Sequence, residues 1–390
     1  MTDRPPRRVL ATLCVTVTVS YGTLYYAFAV LAPTISTDTG WSLTAITAAF
    51  SAGSLATGVA GIPAGRAIQA GGPRKVMVAG GCVGAAGLLL VAVAPTYPLF
   101  LVAMVVCGTG GAGLFYAPAF AAITHWYGAR RVEALTALTL VAGFASTIFA
   151  PTTTLLAERT SWRTTYLMLA VLLLVVAVPL HHFALRLAWQ PVEAGHHAAT
   201  DRDVVTSAAF VLVAIGFTLA TLAMYASIVA FVPLLIERDL TPGLAAWALG
   251  LGGAGQVVGR LAYPALSRTL GLRARVGLMT SALAVTIAVF AVVPGPASLL
   301  VLGAVVAGAA RGLFTLVGAL LVTDLWGPER YATLNGVLGA PVAVATAVGP
   351  FVGAGLAEVA GGYPVTFAVL GGIAAVGAVL SVAAVGMVER

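Results

Sequence analysis

The chain has 390 residues, of which 60% are hydrophobic and only 8% charged, with 45 glycines, and its mean hydropathy is +1.02. A soluble domain carries charged residues at about 25%, so the composition excludes a soluble globular protein and points to a chain that crosses a membrane many times. The formal net charge of +7 does not describe a nucleic-acid binder, because the basic residues, all arginine except Lys75, lie mostly in short segments between apolar runs.

An apolar run of about 20 residues spans the hydrocarbon core as a helix. Twelve are predicted, roughly over 9–36, 43–68, 76–94, 99–126, 132–157, 163–187, 206–236, 243–270, 275–293, 297–325, 331–358 and 364–388. The first run is too long for the apolar core of a cleavable signal peptide, so none is expected. Cys14, Cys82 and Cys107 all fall inside apolar runs, which suggests neither a disulfide framework nor a metal cluster. No cofactor is expected.

Basic residues set the topology, because they concentrate in cytoplasmic loops. Arg4, Arg7, Arg8, Arg66, Arg74, Lys75, Arg130, Arg131, Arg186, Arg202, Arg268, Arg273, Arg275, Arg330 and Arg390 fall on one side, and only Arg159, Arg163 and Arg238 on the other. That asymmetry predicts a multi-pass protein of the cell inner (cytoplasmic) membrane with both termini cytoplasmic. The one substantial polar connection, 188–205, separates an N-terminal six-helix half (1–187) from a C-terminal one (206–390). The halves repeat at a constant offset of 199 residues: Gly72 with Gly271, Arg74 with Arg273, Pro95 with Pro294, Gly113 with Gly312, Gly128 with Gly327, Arg131 with Arg330 and Pro151 with Pro350. Two parallel six-helix repeats are the pattern of alternating-access secondary transporters, which hold substrate near the bilayer midplane.

The connection after span 2 is read as holding Gly58, Pro63, Arg66, Gly72, Pro73, Arg74 and Lys75, and the one after span 8 as holding Gly259, Pro264, Arg268, Gly271, Arg273 and Arg275. In this pattern the sequence resembles the major facilitator superfamily, whose signature occupies that loop in each half. The resemblance implies an all-α fold of twelve transmembrane helices and a gating role for Arg66, Arg74, Lys75, Arg131, Arg268, Arg273 and Arg330. The signature's usual acid is missing: Gly65 stands before Arg66 and Ser267 before Arg268, and a plain positive-inside anchor with glycine turns explains the same residues. More specific are SYGTLYYAF (Ser20–Phe28), Trp41, GTGGAGLFYAP (Gly108–Pro118), HWYGARRVEA (His125–Ala134), Ala142-Gly143, Pro151 and Trp162-Arg163. These are similar to the branch holding monocarboxylate transporters and oxalate/formate antiporters. Two literal G-x-G-x-x-G matches, Gly108-Gly110-Gly113 and Gly250-Gly252-Gly255, lie inside predicted spans. A dinucleotide fingerprint needs a strand before it, so these glycines are read as helix packing surfaces.

Two charges stand deep inside apolar runs, Arg260 in span 8 and Arg311 in span 10. A charge at the bilayer centre costs at least ~2.5–3.5 kcal/mol and normally faces a watery cavity with a partner. A structural arginine bonded to backbone carbonyls is the bland alternative. The carboxylate-transporting branch places a substrate-binding arginine in span 8, and Arg260, in GQVVGRLAYP, matches that position. All thirteen acids fall in loops, tails or end turns, so an anionic substrate is the expected countercharge, and a guanidinium suits a carboxylate through paired hydrogen bonds.

Proton symporters of the monocarboxylate type carry a lysine in span 1 and an acid one turn before the span-8 arginine; here span 1 has no lysine and Gln256 replaces the acid. Oxalate-type antiporters use a second cation in span 11, which this chain lacks there, leaving Arg311 as the substitute. His125, His181, His182, His196 and His197 are read as solvated loop residues. Exchange or facilitated anion movement is therefore expected rather than proton symport. Tyr21, Tyr25, Tyr116, Tyr225 and Asn335 complete the expected substrate-binding set with Arg260, Arg311 and Gln256. The expected protein is a monomeric antiporter or facilitator for a small organic anion, with membrane lipid as its other partner and no enzymatic centre. Its rivals are a drug or metabolite efflux antiporter of the same fold, favoured in part by Gly349, Pro350 and Gly353, and a receptor or scaffold that has lost transport.

Overall fold

Helix starts are written locally in the sequence. Ser42, Ser161, Ser207 and Thr241 each accept a hydrogen bond through the side chain from the backbone N–H three residues on, satisfying a donor the helix leaves open. Pro73 and Pro242 stand in the first turn of their helices, where a missing N–H costs nothing. The computed structural model describes residues 7–189, 202–327 and 331–389.

The fold is all-helical. Helix α1 runs Arg7–Tyr21, passes through a π-helical turn at Gly22–Tyr26 and continues as Ala27–Thr39. It is followed by α2 (Leu43–Gly71), α3 (Pro73–Val93), α4 in two pieces (Tyr97–Ala112 and Tyr116–Tyr127), α5 in two pieces (Arg131–Ala142 and Ala145–Arg159) and α6 (Trp162–Ala184). After a short turn of helix at Arg202–Val205 come α7 (Ala208–Glu237), α8 (Pro242–Thr269), α9 (Leu272–Val292), α10 (Ala297–Trp326), α11 (Tyr331–Ala360) and α12 (Tyr363–Val388). Among the described residues, eleven of these are long and apolar enough to cross a membrane. The remaining one is α8, whose 28 residues carry Gln256 and Arg260 along an otherwise apolar surface.

The chain divides into two compact units, Met1–Glu193 and Ala194–Arg390, the first holding α1–α6 and the second α7–α12. Within each, backbones touch through glycines. In the first unit a side chain on Gly108 would fall on the Gly53 carbonyl, tying α4 to α2, while Gly110 and Gly113 press on Gly80 of α3. In the second, Gly252, Gly255 and Gly259 of α8 meet the carbonyls of Ala304, Val305 and Ala309, and Gly308 and Gly312 of α10 meet those of Gly252 and Gln256. Gly250, Gly252 and Gly255 thus lie within α8, Gly108 and Gly110 within α4 with Gly113 at its interruption, and these glycines serve close packing in the way small residues do in lipid.

Three expectations change. Gly58, Pro63 and Arg66 lie inside α2, and Gly259, Pro264 and Arg268 inside α8; the true connections shrink to Gly72 and to Leu270–Gly271 because a proline in the last third of a helix removes one hydrogen bond without ending it. His181 is not solvated. It is fully buried in α6, with Nδ1 3.2 Å from the Met77 carbonyl of α3. Trp189, expected at the head of a polar linker, packs back on its own unit: its ring stacks on His125 at 3.9 Å, its Nε1–H donates to Gln69 O at 3.0 Å, and it seats against Gly72. Only glycine suits that seat, since its φ is +81°. The rest of the linker, with His196 and His197, lies outside the described residues.

Candidate functional site

The parallel seam of α8 and α10 carries both mid-helix arginines. On α8, Gly252, Gln256 and Arg260 recur at four-residue spacing and so share a face; on α10, Arg311 and Thr315 do the same. Arg260 reaches across, its Nη2 donating to Thr315 Oγ1 at 3.5 Å. The same hydroxyl donates to Gly312 O at 2.9 Å, which fixes its lone pairs toward the guanidinium. Arg311 runs the other way. Its Nη2 lies 2.9 Å from the point where a Cβ would stand on Gly252, consistent with helical side chains leaning toward their N-terminus.

The two guanidinium groups therefore sit at different levels although their Cα atoms are at similar depth. Gly252 and Arg260 are eight residues apart, about 12 Å of helix, so a two- or three-carbon acid meets one or the other. Arg311 lines a narrow cleft of about 30 Å³ whose other walls include Ser227 and Phe231 of α7, Thr286 and Phe290 of α9, and Phe367 of α12. The hydroxyls of Ser227 and Thr286 donate to carbonyls of their own helices, so among the described residues lining it Arg311 is the one charged side chain on a largely apolar wall. Gln256 is half-buried between the two arginine levels. Tyr225 packs its Cβ against Gly349 of α11, and Asn335 is half-buried on α11.

In the first unit the expected tyrosines do converge. The π-helical turn of α1, in which Ala27 N–H donates to Gly22 O five residues back, breaks the regular face there. Gly22 lies directly against the Phe149 ring of α5. Facing it, α4 is interrupted at Gly113–Phe115, where Phe115 N–H returns to Gly111 O at 3.0 Å. Pro118 contributes to the break, since it cannot donate to Leu114 and its ring crowds that carbonyl. Tyr21 stacks on Phe115 with centroids 4.4 Å apart and tilts against Tyr116 at 4.9 Å. Tyr25 meets Phe50 edge-on at 5.3 Å and, with Phe115, Ser54 and Thr57, lines a narrow cleft of about 30 Å³. Interrupted helices and π turns are where membrane transporters expose backbone and side chains to ligands.

At the ends of the same helices, Arg66, Lys75, Arg131, Arg268 and Arg273 are exposed. Arg74 engages another helix, its Nη2 3.3 Å from His182 of α6. Arg330 lies outside the described residues. Among the described residues no group of His, Cys, Asp and Glu is placed to hold a metal ion.

The sequence matches the family description "Major Facilitator Superfamily" over residues 13–297 and 213–389. The chain belongs to the Major Facilitator Superfamily. It is 28% identical over 321 residues to "Monocarboxylate transporter 13" of Rattus norvegicus, covering 80% of this chain and 73% of that one. It is 29% identical over 258 residues to "Fujikurins efflux protein" of Gibberella fujikuroi, covering 65% and 54%. Solved structures of the same fold include a mutant of the nucleoside transporter NupG (TM-score 0.81, 14% identity, 96% of this chain and 99% of that one). A bacterial homologue of the human lysosomal transporter Spinster, in an inward-facing and unoccupied conformation, also shares it (TM-score 0.75, 15% identity, 99% and 98%).

One cation of the connection after α8 meets an acid on another helix. Arg275, in the first turn of α9, pairs with Asp324 near the end of α10 and lies 5.8 Å from the Tyr263 ring of α8. Sequence reasoning placed Arg275 among topological cations and Asp324 among end-turn acids. Their pairing was hidden because forty-nine residues separate them. Thr315 was missed for the same reason, although its four-residue spacing from Arg311 was visible. Two of the three cations expected on the opposite side cap helices: Arg163 donates to Ala94 O at 3.0 Å, closing α3, and Arg238 donates to Phe290 O, closing α9.

Proposed function

We propose that this superfamily member moves a small organic anion, most simply a carboxylate, across the cytoplasmic membrane by alternating access. In this reading α8 crosses the bilayer with the other eleven helices, giving two six-helix halves with both termini cytoplasmic and a monomer as the working unit. One observation supports it above all. Two guanidinium groups are held mid-helix on the α8–α10 seam, one against a hydroxyl at Thr315 and one opening on an apolar cleft. Placing cations there is costly in lipid and suits a ligand that brings a negative charge. Arg260 is the primary anchor and Arg311 a second contact for an anion with an apolar body. The similarity to a monocarboxylate transporter points the same way.

A second reading, efflux of a larger metabolite, draws on the similarity to the fujikurins efflux protein and on the aromatic cleft around Tyr25 and Phe115. Uptake by proteoliposomes across labelled monocarboxylates, dicarboxylates, phosphates and lipophilic cations separates the two. The anion reading expects saturable carboxylate uptake that is lost in Arg260→Gln and strongly reduced in Arg311→Gln. Transport of cations with no competition by any anion would establish the efflux reading instead.

A further inference from the structure

Outside the candidate site, a groove on the second unit runs along the outer face where α9 meets α12. It has a volume of about 490 Å³ and is lined by Arg273, Ser281, Ala284 and Val285 of α9 and by Ala375, Ala378, Val379, Val382 and Ala383 of α12. Val285 and Val379 are 58% and 69% exposed, so the groove opens away from the unit's core, and in a membrane protein such a surface meets acyl chains. Arg273 closes one end. Its guanidinium lies over Gly386 of α12, the Cζ 3.1 Å from where a Cβ would stand, and neither ion pair among the described residues includes it.

The dimensions select the occupant. Twelve residues of α9 from Arg273 to Val285 span about 18 Å, slightly more than half of a hydrocarbon core about 30 Å thick. A cation at interface depth followed by half a bilayer of small apolar side chains matches one phospholipid molecule in one leaflet. The first unit provides an internal contrast. Arg74, the repeat partner of Arg273, faces His182, and the α3–α6 interface below it is filled: Val178 presses on Gly81 with Cγ2 2.8 Å from its Cβ position, Leu173 on Gly84, and His181 on Met77. On α12 the residues that line the groove are alanines and valines only, Ala375, Ala378, Val379, Val382 and Ala383.

We propose that the α9–α12 groove is a binding site for a single anionic phospholipid, its phosphate held by Arg273 and one acyl chain lying between Ala284 and Ala378. The site is independent of the substrate arginines. In the orientation proposed above, it faces the cytoplasmic leaflet, where anionic headgroups attract basic side chains.

The test uses the full chain purified in detergent, with native mass spectrometry after titration with phosphatidylglycerol or phosphatidylcholine. One phosphatidylglycerol per chain should be retained in preference to phosphatidylcholine, and inorganic phosphate should not displace it. Arg273→Gln should weaken retention roughly fivefold, Arg273→Lys should restore most of it, and Ala378→Leu should displace the lipid with the charge intact. Size-exclusion profiles report folding, and Arg273→Lys keeps the test decisive if one of the other variants fails to fold. Equal retention of both lipids, or unchanged phosphatidylglycerol retention in Arg273→Gln, overturns the proposal. Displacement by phosphate would reassign Arg273 to a soluble anion.

Discussion

The Arg311 guanidinium lies 2.9 Å from the position that a Cβ would occupy on Gly252, and the same position is 3.1 Å from the Ala304 carbonyl. Gly252 therefore does two things at once: it lets α8 and α10 touch, and it leaves room for a charge to enter the cleft between them. Gly252→Ala forces the guanidinium out and wedges the helices. Overpacking of this kind costs about 1–3 kcal/mol, so the variant should unfold at lower temperature and also lose anion uptake, on the order of tenfold for each 1.4 kcal/mol of lost binding. Arg311→Gln separates the effects, because it should lose uptake with little change in thermal stability. Uptake by Gly252→Ala at the wild-type rate would show that the cleft carries no ligand.

Arg260 and Thr315 make a weaker contact, 3.5 Å between Nη2 and Oγ1. At that distance the hydroxyl positions the guanidinium more than it stabilises it, and a net hydrogen bond contributes about 1 kcal/mol. Thr315→Val should raise KM for the anion by about fivefold with kcat nearly unchanged, and Thr315→Ser should behave as wild type. A pure fall in kcat in Thr315→Val would instead assign Thr315 to a conformational step.

The long apolar helices and the two mid-helix arginines could be read from the sequence because membrane insertion imposes length and hydropathy on each segment separately. Tyr21, Tyr25 and Tyr116 were legible as a group through their motifs, and the structure places them together around Phe115. What stayed hidden depends on register between distant segments. Nothing in the local sequence around Arg311 shows that its side chain leans toward Gly252 while that of Arg260 leans toward Thr315. The burial of His181 was equally invisible, because its neighbour Met77 lies 104 residues away.

Arg275 and Asp324 test whether the loop signature still works as an electrostatic latch. Their side chains are 12% and 32% exposed, which makes the pair stronger than an open surface bridge and weaker than a fully buried one. Asp324→Asn and Arg275→Gln should each lower thermal stability, and the double variant should lose less than the sum, with a coupling of about 1–2 kcal/mol. If the pair latches one conformation, Asp324→Asn should also change the maximal transport rate without altering KM. Strictly additive stability losses would mean that the two side chains act separately.

Proton coupling turns on His181, the one fully buried histidine among the described residues. Its Nδ1 is bonded to the Met77 carbonyl, and its Nε2 has no hydrogen-bond partner among the described residues. A relay residue needs a donor on one side and an acceptor on the other, whereas this ring is held on one side only and joins α6 to α3. Its role is therefore cohesion. His181→Leu should cost about 1–3 kcal/mol by leaving the Met77 carbonyl with one bond fewer, while the dependence of uptake on an imposed pH gradient, measured at fixed substrate ionisation, should match that of wild type. Wild-type protein should itself accumulate little substrate in response to such a gradient. Strong gradient-driven accumulation that disappears in His181→Leu would make the histidine a proton carrier and replace exchange with symport.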